Sequence, residues 1–247
     1  MPYNKKTNNT VKIYGKHAVL EALANKSRKH FKVITTQEVY HKFQKQFLQY
    51  NIKIEIKKEQ ELNAICPNSV HQGMILQTSP IFLHGIEHLG EITSFDKSCI
   101  VILDQITDPQ NIGAIIRSAL AFEIDAVILP SDNAPPETAA MAKASSGAIE
   151  KVPIIKVKNL ATTIKQLQKQ NYWITGLDSN SKQSITDAAL SKKTVLILGS
   201  EHKGLRELTK ANCDFIVKLP MSDKLDSINV SNAAAIAMYE YFKGVRK

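Results

Sequence analysis

Apolar positions along this chain recur with two different spacings. Residues 52–57 alternate isoleucine with lysine or glutamate, and this period of two predicts a strand with one buried face. Residues 100–103 and 195–198 are unbroken apolar runs, which are typical of strands buried on both faces of a parallel sheet. The pattern therefore predicts a small module with a half-exposed strand, followed by a larger module built around a buried sheet.

The first module, residues 1–79, is predicted to alternate strands and helices. Strands are predicted at 31–35, 52–56 and 73–78, a helix at 39–50, and a strand, a turn at Gly15 and a helix within 11–26. Pro80, Gly85 and Gly90 then interrupt the periodicity. We therefore interpret residues 80–97 as a linker.

The second module, residues 98–247, shows the regular alternation of a doubly wound α/β fold. Strands are predicted at 100–103, 126–129, 152–157, 172–175, 195–198 and 215–219, and helices after Asn111 and at 138–144, 160–169, 205–210 and 233–242. In such folds, ligands bind at the carboxyl ends of the strands. Functional residues are therefore expected in the loops that follow the strands.

The last predicted helix, residues 233–242, has no clear polar face, because Glu240 is its only charged residue. A helix that is apolar all round is buried on all sides, either in a core or against a second subunit. A polar loop rich in Ser and Asp precedes this helix, and Pro220 should end the strand before the loop. We expect the buried helix to hold that loop in place.

The positive charge of the chain is concentrated in its first module. The whole chain has 32 Lys and Arg against 23 Asp and Glu, a formal net charge of +9. Residues 1–79 hold 13 basic against 5 acidic side chains, or +8, which leaves +1 for the remainder. This asymmetry favours a polyanionic partner, with RNA or DNA the first candidate, over a lysine-rich surface that is merely solvated.

Cysteine usage indicates a cytoplasmic protein. Cys66, Cys99 and Cys213 are odd in number and far apart, which fits reduced thiols better than disulfides or a zinc site. No apolar run approaches the ~20 residues of a membrane span. Residues 1–12 contain no apolar segment, so we expect neither a signal nor a transit peptide.

Three loops that follow predicted strands contain candidate functional residues. In the first, Asp108 precedes Pro109 and is biased away from helical geometry, and Asn111 is a natural helix N-cap. Arg117, one of 4 arginines in the chain, is the one placed in an otherwise apolar helix. It could be a surface residue extending from the helix edge. We favour a guanidinium fixed beside the strand-end crevice, where it could bind a phosphate.

The second loop, residues 195–205, does not belong to a known nucleotide-binding motif. Gly199 and Gly204 have the spacing of a phosphate-binding P-loop, but Leu and Arg follow where Lys and Ser or Thr are required. No G-x-G sequence occurs in the chain, which disfavours a dinucleotide-dependent oxidoreductase. Glu201 could act at this strand end or simply oppose a helix dipole.

In the third loop, Asn229 and Ser231 could by themselves simply be helix caps. Taken together, however, the three loops are more specific than each one alone. LDQITDPQNIGAIIRSA (103–119), LGSEHKGL (198–205) and LPMSDKLDSINVSNAAAIAMYE (219–240) resemble, in order and spacing, the three motifs of the SpoU-type RNA ribose methyltransferases of the SPOUT superfamily.

Further segments extend this resemblance over nearly the whole chain. KASSGAIEKVPI, at residues 143–154, resembles the same family. IYGKHAVLEAL and VHQGMI in the first module resemble the RNA-binding domain that bacterial ribosomal-RNA members carry. The resemblance is closest to enzymes that methylate a guanosine ribose in large-subunit ribosomal RNA. There are two alternatives. The substrate could be transfer RNA, or the protein could be an RNA-binding homologue without catalytic activity.

The resemblance implies a fold, a cofactor and an assembly. The fold would be an α/β protein whose C-terminal parallel-sheet domain is tied in a deep trefoil knot, with a small N-terminal α/β RNA-binding domain. The enzyme would be a homodimer through its C-terminal helix. S-adenosylmethionine would be bound in a bent form, chiefly at Gly199, Leu219 and Ile228, and beside Leu198 and Met221.

The family's active-site set can also be carried over by position. It comprises Asn111, Arg117, Glu201, Asn229 and Ser231. The sequence departs from the family pattern at two places. His202 stands where many members have Gly, and Asp223-Lys224 replaces a small pair that often contains Gly. Both departures fall in loops that the resemblance places around the cofactor.

A ribose 2′-hydroxyl is a weak nucleophile, so its proton must leave as the methyl group arrives. Transfer from a sulfonium needs no metal, because the leaving thioether is neutral. The arginine at the position of Arg117 is often described as the base in this family, but a guanidinium with a pKa above ~12 is a poor base at neutral pH. We therefore interpret Arg117 as a clamp on the RNA phosphate beside the reacting ribose. Glu201, Asn229 and Ser231 would order the loops and the hydroxyl.

Overall fold

The first module is a four-stranded sheet covered by helices. The computed structural model describes residues 10–90, 92–200 and 203–247. The elements of the first module are β1 (Val11–Tyr14), α1 (Lys16–Ala24), β2 (His30–Thr35), α2 (Gln37–Phe47), β3 (Lys53–Ile56), α3 (Glu59–Ile65) and β4 (Met74–Thr78). The strand order is β1-β4-β2-β3, with β4 antiparallel to both neighbours and β2 parallel to β3. Gly15, with φ of 90°, makes the turn predicted between β1 and α1.

The second module is a seven-stranded sheet in which all the pairings are parallel. Its elements are β5 (Leu83–His84), β6 (Ser98–Leu103), α4 (Pro109–Ala121), β7 (Ala126–Pro130), α5 (Ala139–Ser145), β8 (Ile154–Val157), α6 (Leu160–Gln168), β9 (Trp173–Leu177), β10 (Lys193–Leu198), α7 (Glu207–Ala211), β11 (Phe215–Val217) and α8 (Val230–Tyr241). The strand order is β11-β9-β10-β6-β7-β8-β5. Every residue of β6 and β7 is buried, so the predicted parallel α/β sheet is confirmed. The carboxyl ends of its strands share one edge.

The segment interpreted as a linker, residues 80–97, is partly built into the second module. Its strand β5 pairs in parallel with β8 at the edge of the sheet. Two single helical turns follow, at Ile86–Leu89 and Ile92–Ser94, and Leu89 is buried. The proline and glycines of this segment separate short elements, because the open edge of β8 offers backbone hydrogen bonds that a sequence pattern does not reveal.

The start of α4 differs from the prediction that Asn111 is its N-cap. Asp108 is the N-cap, with φ −74° and ψ 117°, and its Oδ1 accepts a hydrogen bond from Gln110 N at 2.9 Å. Pro109 takes the first helical position, where its fixed φ is favourable and its missing N–H is not needed. Asn111 therefore lies inside the first turn, and its side chain can make contacts outside the helix.

Helix α8 buries one face in the chain and leaves another exposed. Ala234, Ala237, Met238 and Tyr241 are buried, as predicted for an apolar helix. Ile236 and Tyr239 are 42% and 46% exposed, so the helix is not covered on all sides within one chain. No helix in the described ranges is long and apolar enough to cross a membrane.

A buried ionic cluster joins the two modules. Arg28, between α1 and β2, donates from Nη2 to Glu137 Oε1 at 2.6 Å and from Nε to Glu150 Oε2 at 2.7 Å. These side chains are at most 3% exposed. Arg28 Nη1 also donates to Ser79 O at 2.7 Å. Removal of Arg28 would leave two buried carboxylates without a cation, which is strongly unfavourable.

The three cysteines are free thiols. Cys66 and Cys99 are buried and Cys213 is half-buried. Burial raises the pKa of each thiol, that of Cys213 to about 12. The three side chains are therefore thiols, not reactive thiolates, at neutral pH.

Candidate functional site

Three of the predicted active-site residues form one hydrogen-bonded cluster where α4 and α8 begin. Asn111 accepts through Oδ1 a hydrogen bond from Asn229 Nδ2 at 3.0 Å. Asn229 is the N-cap of α8, and its Oδ1 accepts from Ser231 N at 2.8 Å and from Ser231 Oγ at 2.5 Å. Asn229 thus caps a helix and also joins two loops that lie 118 residues apart in the chain. We define Asn111, Asn229 and Ser231 as the polar cluster.

Arg117 lies less than two turns beyond Asn111 on α4, about 9 Å along the helix axis. It is exposed, and its guanidinium makes no hydrogen bond or ion pair with the part of the chain that the structure describes. Gly113 lies on the same helix, four residues before Arg117. A Cβ at Gly113 would lie 2.5 Å from Met141 O and 2.7 Å from Ala144 Cβ. Gly113 therefore permits the close approach of α4 and α5, while Arg117 remains a cation available to a phosphate.

A cavity of about 370 Å³ opens at the carboxyl ends of β9, β10 and β11. All five residues predicted to bind a cofactor line it: Leu198, Gly199, Leu219, Met221 and Ile228. Its volume is in the range of small-molecule sites, roughly 300–1,000 Å³. Val230, which follows Asn229 directly, also lines the cavity. The cavity and the polar cluster therefore adjoin at the start of α8.

The loop after β10 borders one side of the cavity, and two backbone hydrogen bonds join its described ends. Ser200 N donates to Gly204 O at 3.1 Å, and Gly204 N donates to Ser200 O at 2.9 Å. A Cβ at Gly199 would overlap the backbone of Gly204 and Leu205. Position 199 therefore requires glycine, because two stretches of backbone meet there with no space for a side chain. Gly199, Ser200, Gly204 and Leu205 all line the cavity.

A charge pair ties this loop to the strand that leads to Asn111. Asp104, the first residue after β6, is fully buried. Its Oδ1 lies 2.7 Å from Arg206 Nε, and its Oδ2 accepts from Arg206 N at 3.2 Å. Its own N–H donates to Leu198 O, at the end of β10, at 2.8 Å. Asp104 thus holds the cavity loop in register with the loop that carries the polar cluster.

A second carboxylate, Asp178, follows β9 and lines the cavity. Its Oδ2 accepts from Lys210 Nζ at 2.5 Å, and its Oδ1 accepts from Asn180 N at 2.9 Å. The hydrogen bond from Lys210 lowers the pKa of Asp178 below its ordinary value. Asp178 is therefore ionised at neutral pH.

Glu201 and His202 lie outside the described residues, so the role predicted for Glu201 and the departure at His202 stay predictions. Asp223 and Lys224 are exposed in the loop between β11 and α8. In the described part of that loop, Met221, Ser227 and Ile228 line the cavity and these two do not. Within the described ranges, no group of three or more His, Cys, Asp or Glu is placed to hold a metal ion.

No role was predicted for Asp104, Arg206, Asp178 or Lys210. A signal for the two acids was present in the sequence, since each directly follows an apolar residue at the end of a strand. Their basic partners carried no local signal. Arg206 is 102 residues from Asp104, and Lys210 is 32 residues from Asp178, so each pairing follows from the strand order.

Two parts of the chain match known sequence families. Residues 98–239 match the SpoU rRNA Methylase family. Residues 12–82 match the family described as RNA 2′-O ribose methyltransferase substrate binding. Together these matches extend over most of both modules.

Over nearly its full length, the chain is similar to bacterial RNA methyltransferases. It is 34% identical over 239 residues to the 23S rRNA (guanosine-2′-O-)-methyltransferase RlmB of Pseudomonas aeruginosa, covering 94% of this chain and 96% of that protein. It is also 34% identical over 254 residues to a Staphylococcus haemolyticus protein assigned to the TrmH family of tRNA/rRNA methyltransferases, covering 94% of each.

The fold is similar to that of a solved methyltransferase. The crystal structure of the SpoU methyltransferase AviRb from Streptomyces viridochromogenes, in complex with the cofactor AdoMet, matches with a TM-score of 0.83. The match covers 95% of this chain and 90% of that chain at 20% sequence identity. At this identity the similarity concerns the fold.

Proposed function

Because the chain belongs to the SpoU rRNA methylase family, we propose that it methylates the ribose 2′-hydroxyl of a guanosine in 23S ribosomal RNA. The Pseudomonas aeruginosa enzyme, which shares 34% identity over nearly the whole chain, supports this substrate. The observation that carries the proposal is the position of the polar cluster, which adjoins a cavity of about 370 Å³ at the start of α8.

The cavity fits S-adenosylmethionine as methyl donor. When bound, this cofactor supplies an electrophilic methyl group on a positively charged sulfur. Leu198, Leu219 and Ile228 offer apolar surface for an adenine ring, and Gly199 is proposed to contribute backbone groups. Such a combination suits a ligand that is aromatic at one end and zwitterionic at the other. These residues, with Met221, are proposed as the cofactor site.

The polar cluster is proposed to orient the 2′-hydroxyl. Its amide and hydroxyl groups are held by two helix starts and by one another, so they need little reorganisation when the ribose arrives. Arg117 is proposed to bind the phosphate beside that ribose and to lower the pKa of the hydroxyl electrostatically, so that the hydroxyl proton passes to solvent water as the methyl group moves from sulfur to oxygen. Orientation for in-line attack can contribute several kcal/mol to the rate. Glu201 is proposed to order the loop after β10.

Residues 1–79 are proposed as the RNA-binding domain and residues 98–247 as the methyltransferase domain, with residues 80–97 between them. The charge of +8 on the first domain supports this division. Helix α2 presents exposed Lys42 and Lys45, and Lys42 Nζ lies 5.9 Å from the ring centre of Phe43. Cations interleaved with aromatic rings suit phosphates and unstacked bases.

A homodimer through α8 is also proposed. Ile236 and Tyr239 support it, because they are large apolar residues on the face of α8 that the chain itself leaves exposed. The deep trefoil knot of the C-terminal sheet stays a prediction of the family resemblance. A cytoplasmic location is proposed as well, since ribosomal RNA is the proposed substrate and the three cysteines are free thiols.

A transfer-RNA substrate is the second candidate. The Staphylococcus haemolyticus relative is assigned to a family of tRNA/rRNA methyltransferases, and its identity to this chain is as high as that of the 23S rRNA enzyme. The first module does not separate the two substrates, because phosphate contacts give affinity without sequence information.

Transfer of labelled methyl groups tests the proposal. The purified protein is incubated with tritiated S-adenosylmethionine and either unmodified 23S rRNA or unmodified transfer RNA, and the RNA is digested to nucleosides. We expect the label in 2′-O-methylguanosine, from 23S rRNA only. Label in transfer RNA would support the second candidate. A protein that binds S-adenosylmethionine but labels neither RNA would contradict an enzymatic function on both.

A further inference from the structure

One wall of the cavity carries a carboxylate that the transfer reaction does not use. Asp178 follows β9, and its side chain is 14% exposed. Lys210 Nζ donates to its Oδ2, and Asn180 N donates to its Oδ1. A carboxylate has about four lone-pair sites, so these contacts take up only part of its accepting capacity. The remainder is available to a ligand in the cavity.

The charges around Asp178 limit what it can bind. Lys203, Lys210 and Lys218 line the cavity, and Glu207 is the one acid besides Asp178 in its described lining, which leaves an excess of positive charge. A further ammonium group, such as that of the methionine part of the cofactor, would be repelled by this excess positive charge. Uncharged hydroxyl donors have no such penalty, and a hydrogen bond from a hydroxyl to an ionised carboxylate is stronger than one between neutral groups.

We propose that Asp178 accepts hydrogen bonds from the ribose hydroxyls of the adenosyl group, and that Lys210 positions it for this contact. An acid near a strand end serves the ribose hydroxyls in dinucleotide-binding doubly wound folds for the same reason, since ligands there lie beyond the carboxyl ends of the strands. The inference rests on the proposed assignment of the cavity to S-adenosylmethionine. It adds to that assignment the group that recognises a ribonucleoside over a deoxyribonucleoside.

The test compares the affinities for ligands with and without a ribose hydroxyl, in the presence and absence of the Asp178 carboxylate. Calorimetry gives the affinity of wild type, Asp178→Ala and Asp187→Ala for 5′-methylthioadenosine and for its 2′-deoxy and 3′-deoxy forms. Methylthioadenosine has the ribose but lacks the amino-acid part of the cofactor. Asp187 is the matched control, because it is an exposed acid in the same connection between β9 and β10, outside the cavity lining.

In wild type, we expect the loss of a ribose hydroxyl to weaken binding about 10- to 100-fold, as for a hydrogen bond to a charged group. In Asp178→Ala the ribo and deoxy ligands should bind within about twofold of each other. Asp187→Ala should keep the wild-type ratio of the affinities for the ribo and deoxy ligands. Equal binding of ribo and deoxy ligands by wild type would overturn the inference without any variant, as would an undiminished ratio in a folded Asp178→Ala protein.

Two further measurements separate this inference from the assignment of the cavity. If Asp178→Ala weakened S-adenosylmethionine but not methylthioadenosine, Asp178 would contact the amino-acid part and the inference would be wrong. Ile228→Trp should fill the cavity and abolish binding of both ligands. Unchanged binding by Ile228→Trp would reject the cavity itself. Suppose instead that Ile228→Trp abolishes binding, while Asp178→Ala still binds the ribo ligand more tightly than the deoxy ligands by the wild-type factor. That result would reject only the role of Asp178.

Discussion

Arg117 is the residue for which the structure separates function from stability most clearly. Its side chain is exposed and makes no hydrogen bond or ion pair within the described residues. We therefore predict that Arg117→Ala keeps the melting temperature and the cofactor affinity of wild type. Methyl transfer should fall by roughly 10²–10³, as when one preorganised electrostatic donor is removed. Thermal melts and single-turnover rates on the same RNA check both parts.

Arg117→Lys distinguishes a phosphate clamp from a base. Lysine keeps the charge but loses the planar fork of the guanidinium, so only part of the rate should return, at every pH. A base would behave differently, because the lower pKa of lysine should restore the rate as the pH is raised. Full activity of Arg117→Lys at neutral pH would contradict the clamp.

At the residue scale, the sequence predicts the functional loops more reliably than it predicts the role of each residue in them. Asn111 and Asn229 were assigned by motif position, and the structure joins them through one hydrogen bond. The N-cap of α4 was misplaced because Asn and Asp are both good caps, and the preference of Pro109 for the first helical position decided for Asp108. The role of Asp178 is not predictable from local sequence, because its partner Lys210 becomes its neighbour only through the strand order.

At the scale of elements, Gly113 sets the distance between α4 and α5. A Cβ there would be 2.5 Å from Met141 O on α5, and backbone cannot move away as a flexible side chain can. We predict that Gly113→Ala costs about 1–3 kcal/mol through overpacking, which exceeds the gain of up to ~1 kcal/mol in helix propensity. Gly244→Ala is the control, since nothing lies within 4 Å of its added Cβ.

Chemical denaturation of the two glycine variants checks this prediction. Gly244→Ala should unfold at the same denaturant concentration as wild type or a slightly higher one. Equal stability of Gly113→Ala and wild type would show that the two helices can separate without cost, and that close packing does not explain this glycine.

The Arg28 cluster determines how strongly the two modules are coupled. Arg28→Met would leave Glu137 and Glu150 buried without their cation, and breaking a buried pair costs about 3–5 kcal/mol. Lys32→Met is the matched control, because its pair with Glu55 is partly exposed, with side chains 29% and 24% accessible, and such pairs contribute about 0–1 kcal/mol.

The cost of Arg28→Met should depend on pH. Burial raises the pKa of Glu137, and loss of Arg28 should raise it further. An acid whose pKa is higher in the folded than in the unfolded state favours folding below the unfolded pKa, and this contribution is lost as the pH rises through the folded pKa. Denaturation of wild type and Arg28→Met from about pH 5 to about pH 8 should therefore show that the variant's loss in free energy of unfolding grows with pH. A penalty that shrinks with rising pH would contradict burial of both acids.

At the scale of the whole molecule, the exposed face of α8 gives a test of the proposed dimer. Ile236→Glu should produce a folded monomer, because Ile236 is 42% exposed in the chain and a charge would be buried only in the dimer. Met238→Glu should unfold the chain instead, because Met238 is already fully buried within it. Leu208→Glu, at a residue 65% exposed on α7, is the control. Sedimentation of wild type as a monomer at micromolar concentration would refute the dimer.

The parallel sheet was predictable from sequence because its strands are unbroken apolar runs, such as 100–103. The arrangement of the modules was not. Strand β5 lies in a segment with the composition of a linker, and it forms because the edge of β8 accepts it. Arg28 reaches Glu137 across 109 residues, a pairing that no local pattern encodes.

Mapping of ribose methylation in cells tests the proposed function most directly. Ribosomal and transfer RNA are compared between cells with and without this chain, and between cells complemented with wild type or Arg117→Ala. We predict that one 2′-O-methylguanosine of 23S rRNA disappears without the chain, returns with wild type and does not return with Arg117→Ala. An unchanged map of 23S rRNA in cells that lack the chain would contradict the proposed function.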